Sequence, residues 1–240
     1  PMYNEEAIAQ SSIEAILPFL EALPYPTTLL VVNDGSKDKT TEIVRGLVDR
    51  VGNEARLIMI SHDRNYGYGA GLRSGMRFAI EHDYDYALFM DSDLTNHPKY
   101  LALFYNKMAE GCEYIKATRF QKGGGVKGVS LKRRIFSQVA NKVSRLFFQL
   151  PISDPTNGFR AVKIDVLRKL DLKENGFPII MEELYQAKSY VKKFCEISYI
   201  LTERTQRQGQ THFSYTLHTL RKYLSYSLKS IFKKYEPTKH

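Results

Sequence analysis

No stretch of the 240 residues approaches the ~18 consecutive apolar residues that a membrane-spanning helix needs, and the N-terminus has no basic-then-apolar leader pattern. The chain as it stands is expected neither to cross a membrane nor to be exported. Cysteine is nearly absent: Cys112 and Cys195 are too few and too far apart in sequence to suggest a disulfide framework or a zinc-ligand cluster. That scarcity points to a reducing, cytosolic setting. No internal repeat is present, and no glycine-rich triphosphate loop with a paired lysine stands near the first strand, which argues against a nucleotidyltransferase. Acidic residues are missing altogether from Lys116 to Arg145, which holds nine Lys/Arg, and only Glu196, Glu203 and Glu236 offset eleven Lys/Arg from Gln186 to His240. These two segments carry +17 in a chain of net charge +9, so the remainder is about −8. The basic part suits anionic lipid headgroups, a phosphorylated substrate or nucleic acid, or is simply a solvated surface. Base-stacking aromatics interleaved with that charge are absent, so a nucleic-acid partner is not expected.

What is present is enough apolar sequence, 43 % of the residues, to bury the core of one α/β domain. Thr28 to Asn33 (TLLVVN) is a β-branched run that ends in Asp34-Gly35-Ser36, with helix-compatible sequence from Lys39. Arg56 to Ser61 repeats the plan, followed by a glycine-rich run from Asn65 to Gly71 and helical sequence through Ile80. Tyr86 to Met90 is a third strand, ending at Asp91. Strands alternating with helices predict a mostly parallel central sheet covered by helices on both faces, with ligands beyond the carboxyl ends of the strands. A helix from Lys99 to Glu110, a strand from Tyr114 to Thr118 and a mobile loop at Gly123-Gly124-Gly125 are expected next. Lys132 to Phe148 reads as a helix, with Ile135, Val139, Val143 and Leu146 on one face. Thr216 to Tyr235 reads as a basic amphipathic helix that either packs on its own domain or lies on a membrane surface. The chain opens at Pro1 inside what reads as a strand-to-helix turn, so a strand of a few residues is expected to precede it.

Asp91-Ser92-Asp93 places two carboxylates at the end of a buried strand, where leaving them unpaired is costly. A hard divalent cation bridging them to a substrate diphosphate satisfies both charges, although paired aspartates at strand ends also serve as turn formers. Asp34, after its own strand, can accept a hydrogen bond from a nucleobase, while Ser36 and Asp38 can satisfy the next helix's first amides. Tyr3 can offer a flat face to a base.

These elements together resemble the family 2 glycosyltransferases, in particular their dolichol-phosphate mannosyltransferase-like branch. The resemblance rests on P-x-Y-N-E at Pro1 to Glu5, D-G-S-x-D-x-T at Asp34 to Thr40, N-x-G at Asn65 to Gly67, D-x-D-L at Asp91 to Leu94 with Pro98 after it, and D-x-x-x-G-F-R at Asp154 to Arg160. It implies a GT-A fold over residues 1–212, nucleotide-binding to about 120 and acceptor-binding from about 121, with residues 213–240 as a basic amphipathic C-terminal helix. By position it implies base and ribose contacts from Pro1, Tyr3 and Glu5, and base reading by Asp34. Asp91 would be shared between donor and metal, with Asp93 the firmer metal ligand. Arg119 would lie near the diphosphate and the acceptor phosphate, and Asp154 and Glu182 would face the transfer site. Three departures stand out. Asn33 precedes Asp34 where a second aspartate is common, His212 stands where lysine is usual, and the phosphate-gripping arginine is equally Arg204 or Arg207.

The resemblance implies an inverting transfer of a hexosyl group from a UDP- or GDP-sugar to a polyprenyl phosphate, with Mg²⁺ or Mn²⁺ as cofactor. The chain would attach peripherally at the cytosolic membrane face through the helix from Thr216. The alternative acceptor is a saccharide hydroxyl, whose proton Asp154 or Glu182 would take.

Overall fold

The computed structural model describes residues 1–51, 56–128, 131–202 and 216–236, with only the backbone of 131–136. The strands are β1 (Leu29–Asn33), β2 (Leu57–Ser61), β3 (Tyr86–Phe89), β4 (Tyr114–Thr118), β5 (Gly125–Lys127), β6 (Arg160–Lys163), β7 (Phe194–Ser198) and β8 (Ile200–Thr202). The helices are α1 (Ala9–Glu21), α2 (Thr40–Val51), α3 (Tyr68–Glu81), α4 (Leu101–Ala109), α5 (Leu131–Phe148), α6 (Ile164–Leu167), α7 (Ile179–Ala187) and α8 (Leu217–Ser230), with a 3₁₀ turn at Pro98–Tyr100 before α4. The strands expected at the apolar runs form as β1 to β4, each ending where the sequence turns polar.

β1 and β2 pair in parallel from Leu29↔Leu57 to Asn33↔Ser61, and Met2 adds a parallel bridge to Asn33. A four-stranded sheet of order β3-β6-β4-β7 carries the middle of the chain, and β5 pairs in parallel with β8. Three of the five strand pairings are parallel, while β6 runs antiparallel to both of its neighbours. In the four-stranded sheet β3, β4 and β7 therefore point the same way and β6 is reversed between β3 and β4, which makes two of its three pairings antiparallel. One hydrophobic cluster joins α3, α7 and the aromatic side of β4 through residues such as Leu72, Tyr114 and Met181, and another joins Phe104 of α4 to Ile115, Ala161 and Ile197 on the other face. The third packs α1 and α2 around Val31 and Leu57.

Two expectations are corrected. Cys112 and Cys195 form a disulfide with Cα atoms 5.9 Å apart. Distance along the chain was the wrong measure: β4 pairs with β7 in parallel, so residues 83 apart in sequence meet at the same end of the sheet. The cysteine count therefore gives no support to a reducing compartment. The glycine run at 123–125 is not a free loop either, since Gly125 opens β5, and a Cβ on Gly124 would lie 2.8 Å from the Thr118 carbonyl.

The basic C-terminal helix packs between α5 and α7. Ser227 Oγ donates to Ser144 Oγ at 3.2 Å, the Lys188 ammonium donates to the Ser230 carbonyl at 2.8 Å, and Tyr223 and Tyr226 pack on the main cluster. Among the described residues, no helix is long and apolar enough to cross a membrane.

Candidate active site

The first two motifs interlock. The Asn4 amide donates to Ser36 Oγ while Asn4 Oδ1 accepts from the Lys37 amide, and Glu6 and Asp38 exchange the same kind of bond through the Glu6 and Lys39 amides. Thr40 Oγ1 accepts from the Glu5 amide at 2.8 Å, and Asp38 Oδ1 accepts from the Thr40 amide, so Asp38 caps α2 as its position predicts. Asn33 is buried, and its side-chain amide donates to Thr41 Oγ1 at 2.8 Å, which gives this departure from the family pattern a structural role. These bonds hold Pro1, Tyr3 and Glu5 along one wall of a cleft of ≈ 500 Å³.

Asp34 lies in the same wall, 3 % exposed. Its Oδ1 accepts from the Tyr66 amide and pairs with His62 Nδ1 at 2.7 Å, and its Oδ2 accepts from the Gly67 amide at 2.8 Å. The aspartate expected to read a base therefore also clamps the glycine-rich turn to the end of β1. Gly67 is required there: its φ is +99°, and a Cβ would meet the Asn175 carbonyl oxygen at 2.5 Å.

Asp91, Ser92 and Asp93 line the centre of the cleft just past β3. Asp93 Oδ1 accepts from the Thr95 amide at 3.0 Å and the Thr95 hydroxyl at 2.7 Å, which sets a tight turn. Asp91 Oδ2 accepts from Asn96 Nδ2 at 3.1 Å, and the Tyr68 hydroxyl lies 3.5 Å from Oδ1. Burial, then the nearby Asp93 charge, pushes the Asp91 carboxyl up to about 6. Two neighbouring carboxylates in a recess suit a divalent cation, whose charge reverses the penalty that raises Asp91. Among the described residues no group of three or more His, Cys, Asp or Glu side chains forms a complete cage, so a cation at Asp91 and Asp93 would take its other oxygens from phosphate and water.

Arg119, at the end of β4, also lines the cleft. Its guanidinium grips Asp154 with Nε to Oδ2 at 2.7 Å and Nη2 to Oδ1 at 2.8 Å, and it reaches towards Ser137 and Thr156. Asp154 is fully buried in that fork, does not line the cleft, and holds the Arg119 guanidinium in place. Glu182 is also away from the cleft lining: its carboxylate accepts from the Lys173 and Glu174 amides and fixes the turn before α7. The neighbouring Glu183 pairs with Arg160, the arginine of the D-x-x-x-G-F-R motif, in a fully buried ion pair joined by the Tyr114 hydroxyl. Arg204, Arg207 and His212 lie outside the described residues.

Several lining residues escaped sequence reasoning. Tyr68, inside the glycine-rich run, stacks on Phe177 with ring centroids 4.4 Å apart. Thr219, Leu220 and Tyr223 bring α8 into the cleft wall beside Ser137 and Ala140 of α5. No local spacing marks them, because only the packing of α8 on α5 and α7 puts them there.

Glucosyl-3-phosphoglycerate synthase from Mycobacterium tuberculosis, solved in complex with Mn²⁺, uridine-diphosphate-glucose and phosphoglyceric acid, shares the fold with a TM-score of 0.64 at 19% identity, over 96% of this chain and 77% of that one. The dolichol-phosphate mannosyltransferase of Pyrococcus furiosus is 28% identical over 229 residues, 92% of this chain, and this chain spans 61% of its length. The polyprenol monophosphomannose synthase of Mycolicibacterium smegmatis is 27% identical over 207 residues, 85% of this chain and 76% of that protein. Residues 1–171, which supply both interlocked loops, the paired aspartates and the Arg119–Asp154 fork, match the family model for glycosyl transferase family 2. With the fold of its solved neighbours and a match over well more than half its length, the chain belongs to glycosyl transferase family 2 and has the GT-A fold.

Proposed function

We propose that this chain moves a hexosyl group from a UDP- or GDP-sugar to a polyprenyl phosphate, with inversion at the anomeric carbon, while bound peripherally to an anionic membrane surface at its cytosolic face. The observation that carries the reading is one continuous cleft, running from Pro1, Tyr3 and Asp34 past Asp91, Asp93 and Arg119 to α5 and α8. The names of the two curated relatives, a dolichol-phosphate mannosyltransferase and a polyprenol monophosphomannose synthase, support the acceptor class.

In this reading the interlocked N-terminal loops receive the nucleoside. A divalent cation, Mg²⁺ or Mn²⁺, held by Asp91 and Asp93, would supply charge neutralisation at the diphosphate, and the Mn²⁺ complex of the solved neighbour is consistent with that chemistry. Arg119, held by Asp154, orients an acceptor phosphate oxygen. That oxygen bonds to the anomeric carbon as the bond to the diphosphate oxygen breaks, and the nucleoside diphosphate leaves with the electron pair. An acceptor that is already anionic needs no general base. A saccharide hydroxyl does, and the two carboxylates expected to serve it, Asp154 and Glu182, are engaged with Arg119 and with the 173–174 amides. Arg204 or Arg207 completes the phosphate grip in this proposal, and no nucleic acid takes part.

The far end of the cleft suits a lipid. Ser137 and Ala140 meet Thr219 and Leu220 at the cleft, and Ser144 meets Ser227 farther along, so α5 and α8 lead away from it side by side. They expose Val139, Val143 and Leu146 on one helix and Leu217, Leu224, Leu228 and Ile231 on the other, among Lys142, Arg145, Arg221 and Lys229. Transfer of radiolabelled sugar to polyprenyl phosphate and to soluble saccharides tests the reading. Product with soluble acceptors alone would sink it, and failure to float with anionic vesicles at low salt would remove the membrane part.

A further inference from the structure

We infer that Asn96, seconded by Tyr68, is a positioning residue that fixes the Asp91 carboxylate for binding of a cation–diphosphate group. The inference rests on the donor site proposed above. Asn96 belongs to none of the sequence motifs, yet it is 2 % exposed and its Nδ2 donates to Asp91 Oδ2 at 3.1 Å. Its Oδ1 is buried with no hydrogen-bond partner. A buried amide with an orphaned oxygen is a poor choice for stability, because an aliphatic side chain of the same shape would bury no unpaired amide oxygen and would give up only the one bond to Asp91. The half of Asn96 that does bond is the half aimed at Asp91.

The other oxygen of Asp91 faces the Tyr68 hydroxyl at 3.5 Å, a longer contact. Tyr68 is itself held by its stack on Phe177. Each Asp91 oxygen thus has one donor from a different element, Tyr68 opening α3 and Asn96 following the D-x-D turn. A carboxylate held from both sides keeps its plane fixed when a ligand arrives, which is how groups behind a metal ligand raise its affinity.

Asn96→Leu removes both the bond and the orphaned oxygen at nearly constant shape. Titration of the full chain with Mn²⁺ in the presence of UDP or GDP is expected to show a Mn²⁺ affinity weaker by about 10- to 100-fold than wild type. The thermal midpoint of the unliganded variant is expected to stay near that of wild type, since loss of the bond to Asp91 is offset by removal of the orphaned oxygen. Tyr68→Phe, which keeps the ring stack, is expected to weaken Mn²⁺ in the same direction by a smaller factor. An Asn96→Leu protein that melts lower but binds Mn²⁺ as wild type does would make Asn96 merely structural and overturn the inference. Should wild-type protein bind Mn²⁺ with neither nucleotide, the donor-site reading itself falls and takes the inference with it.

Discussion

Lys116 offers a test of the electrostatics behind the site. It sits on β4 opposite Arg160 on one side and Glu196 on the other, fully buried, and its ammonium has no hydrogen-bond partner. Burial, then the Arg160 charge, lowers it from 10.5 to about 7, against the pull of Glu183, Asp154 and Glu196. Below pH 7 both folded and unfolded chains carry the proton and the folded state bears the full penalty. Between about 7 and 10.5 the unfolded chain holds a proton that the folded one has released, so stability rises with pH, and above 10.5 the contribution vanishes. The gap between the two values corresponds to as much as ~5 kcal/mol. Lys116→Met keeps the stem's packing and removes the charge, so at pH 6 it is expected to be the more stable protein by several kcal/mol, on the order of 3–5. That advantage should shrink towards pH 10, and urea unfolding of both proteins at pH 6, 8 and 10 reads it directly. A variant less stable than wild type at pH 6, or an advantage that does not change with pH, refutes the reasoning.

Asp93→Asn is expected to abolish metal-dependent sugar transfer while leaving the melting temperature near that of wild type; near-normal turnover would remove the cation from the proposed site. Reduction of the Cys112–Cys195 bond, or a Cys112→Ser/Cys195→Ser pair, frees a loop of 83 residues and should cost up to about 4.5 kcal/mol in denaturant unfolding. Unchanged stability in reductant would show that the bridge constrains little. Glu174→Gln removes the carboxylate charge that Lys222 and Tyr226 of α8 both contact at 2.8 Å, with an expected loss of about 1–3 kcal/mol in the same assay.

The first half of the fold was legible because its strands are short apolar runs followed by polar turns, as in TLLVVN before Asp34 and YALFM before Asp91. β6, β7 and β8 were not read, and β6 and β8 span only four and three residues, too few to show an alternation. The reversal of β6 is decided by its pairing with β3 and β4, which no local pattern reports. Chemistry was legible in kind but not in partner. The resemblance set Asp154 and Glu182 facing the transfer site, yet which groups they bond depends on contacts 35 and 9 residues away. Lys116 shows the same limit, since counting charges assigns it to the basic face while β4 is buried along its whole length on both faces.

The division between a catalytic body and an appended helix dissolves at Glu174. Its carboxylate holds α8 through Lys222 and Tyr226, and its carbonyl accepts from Arg73 of α3. The adjoining Asn175 carbonyl accepts from the Gly69 amide at 2.7 Å, in the turn that Asp34 clamps. Phe177, two residues on, receives the Tyr223 hydroxyl on its carbonyl and stacks its ring on Tyr68. A short segment therefore touches the glycine turn at the proposed donor end of the cleft and the basic helix at its proposed acceptor end. Whatever seats α8, whether packing alone or a membrane surface as well, acts on a helix that is already part of the cleft wall.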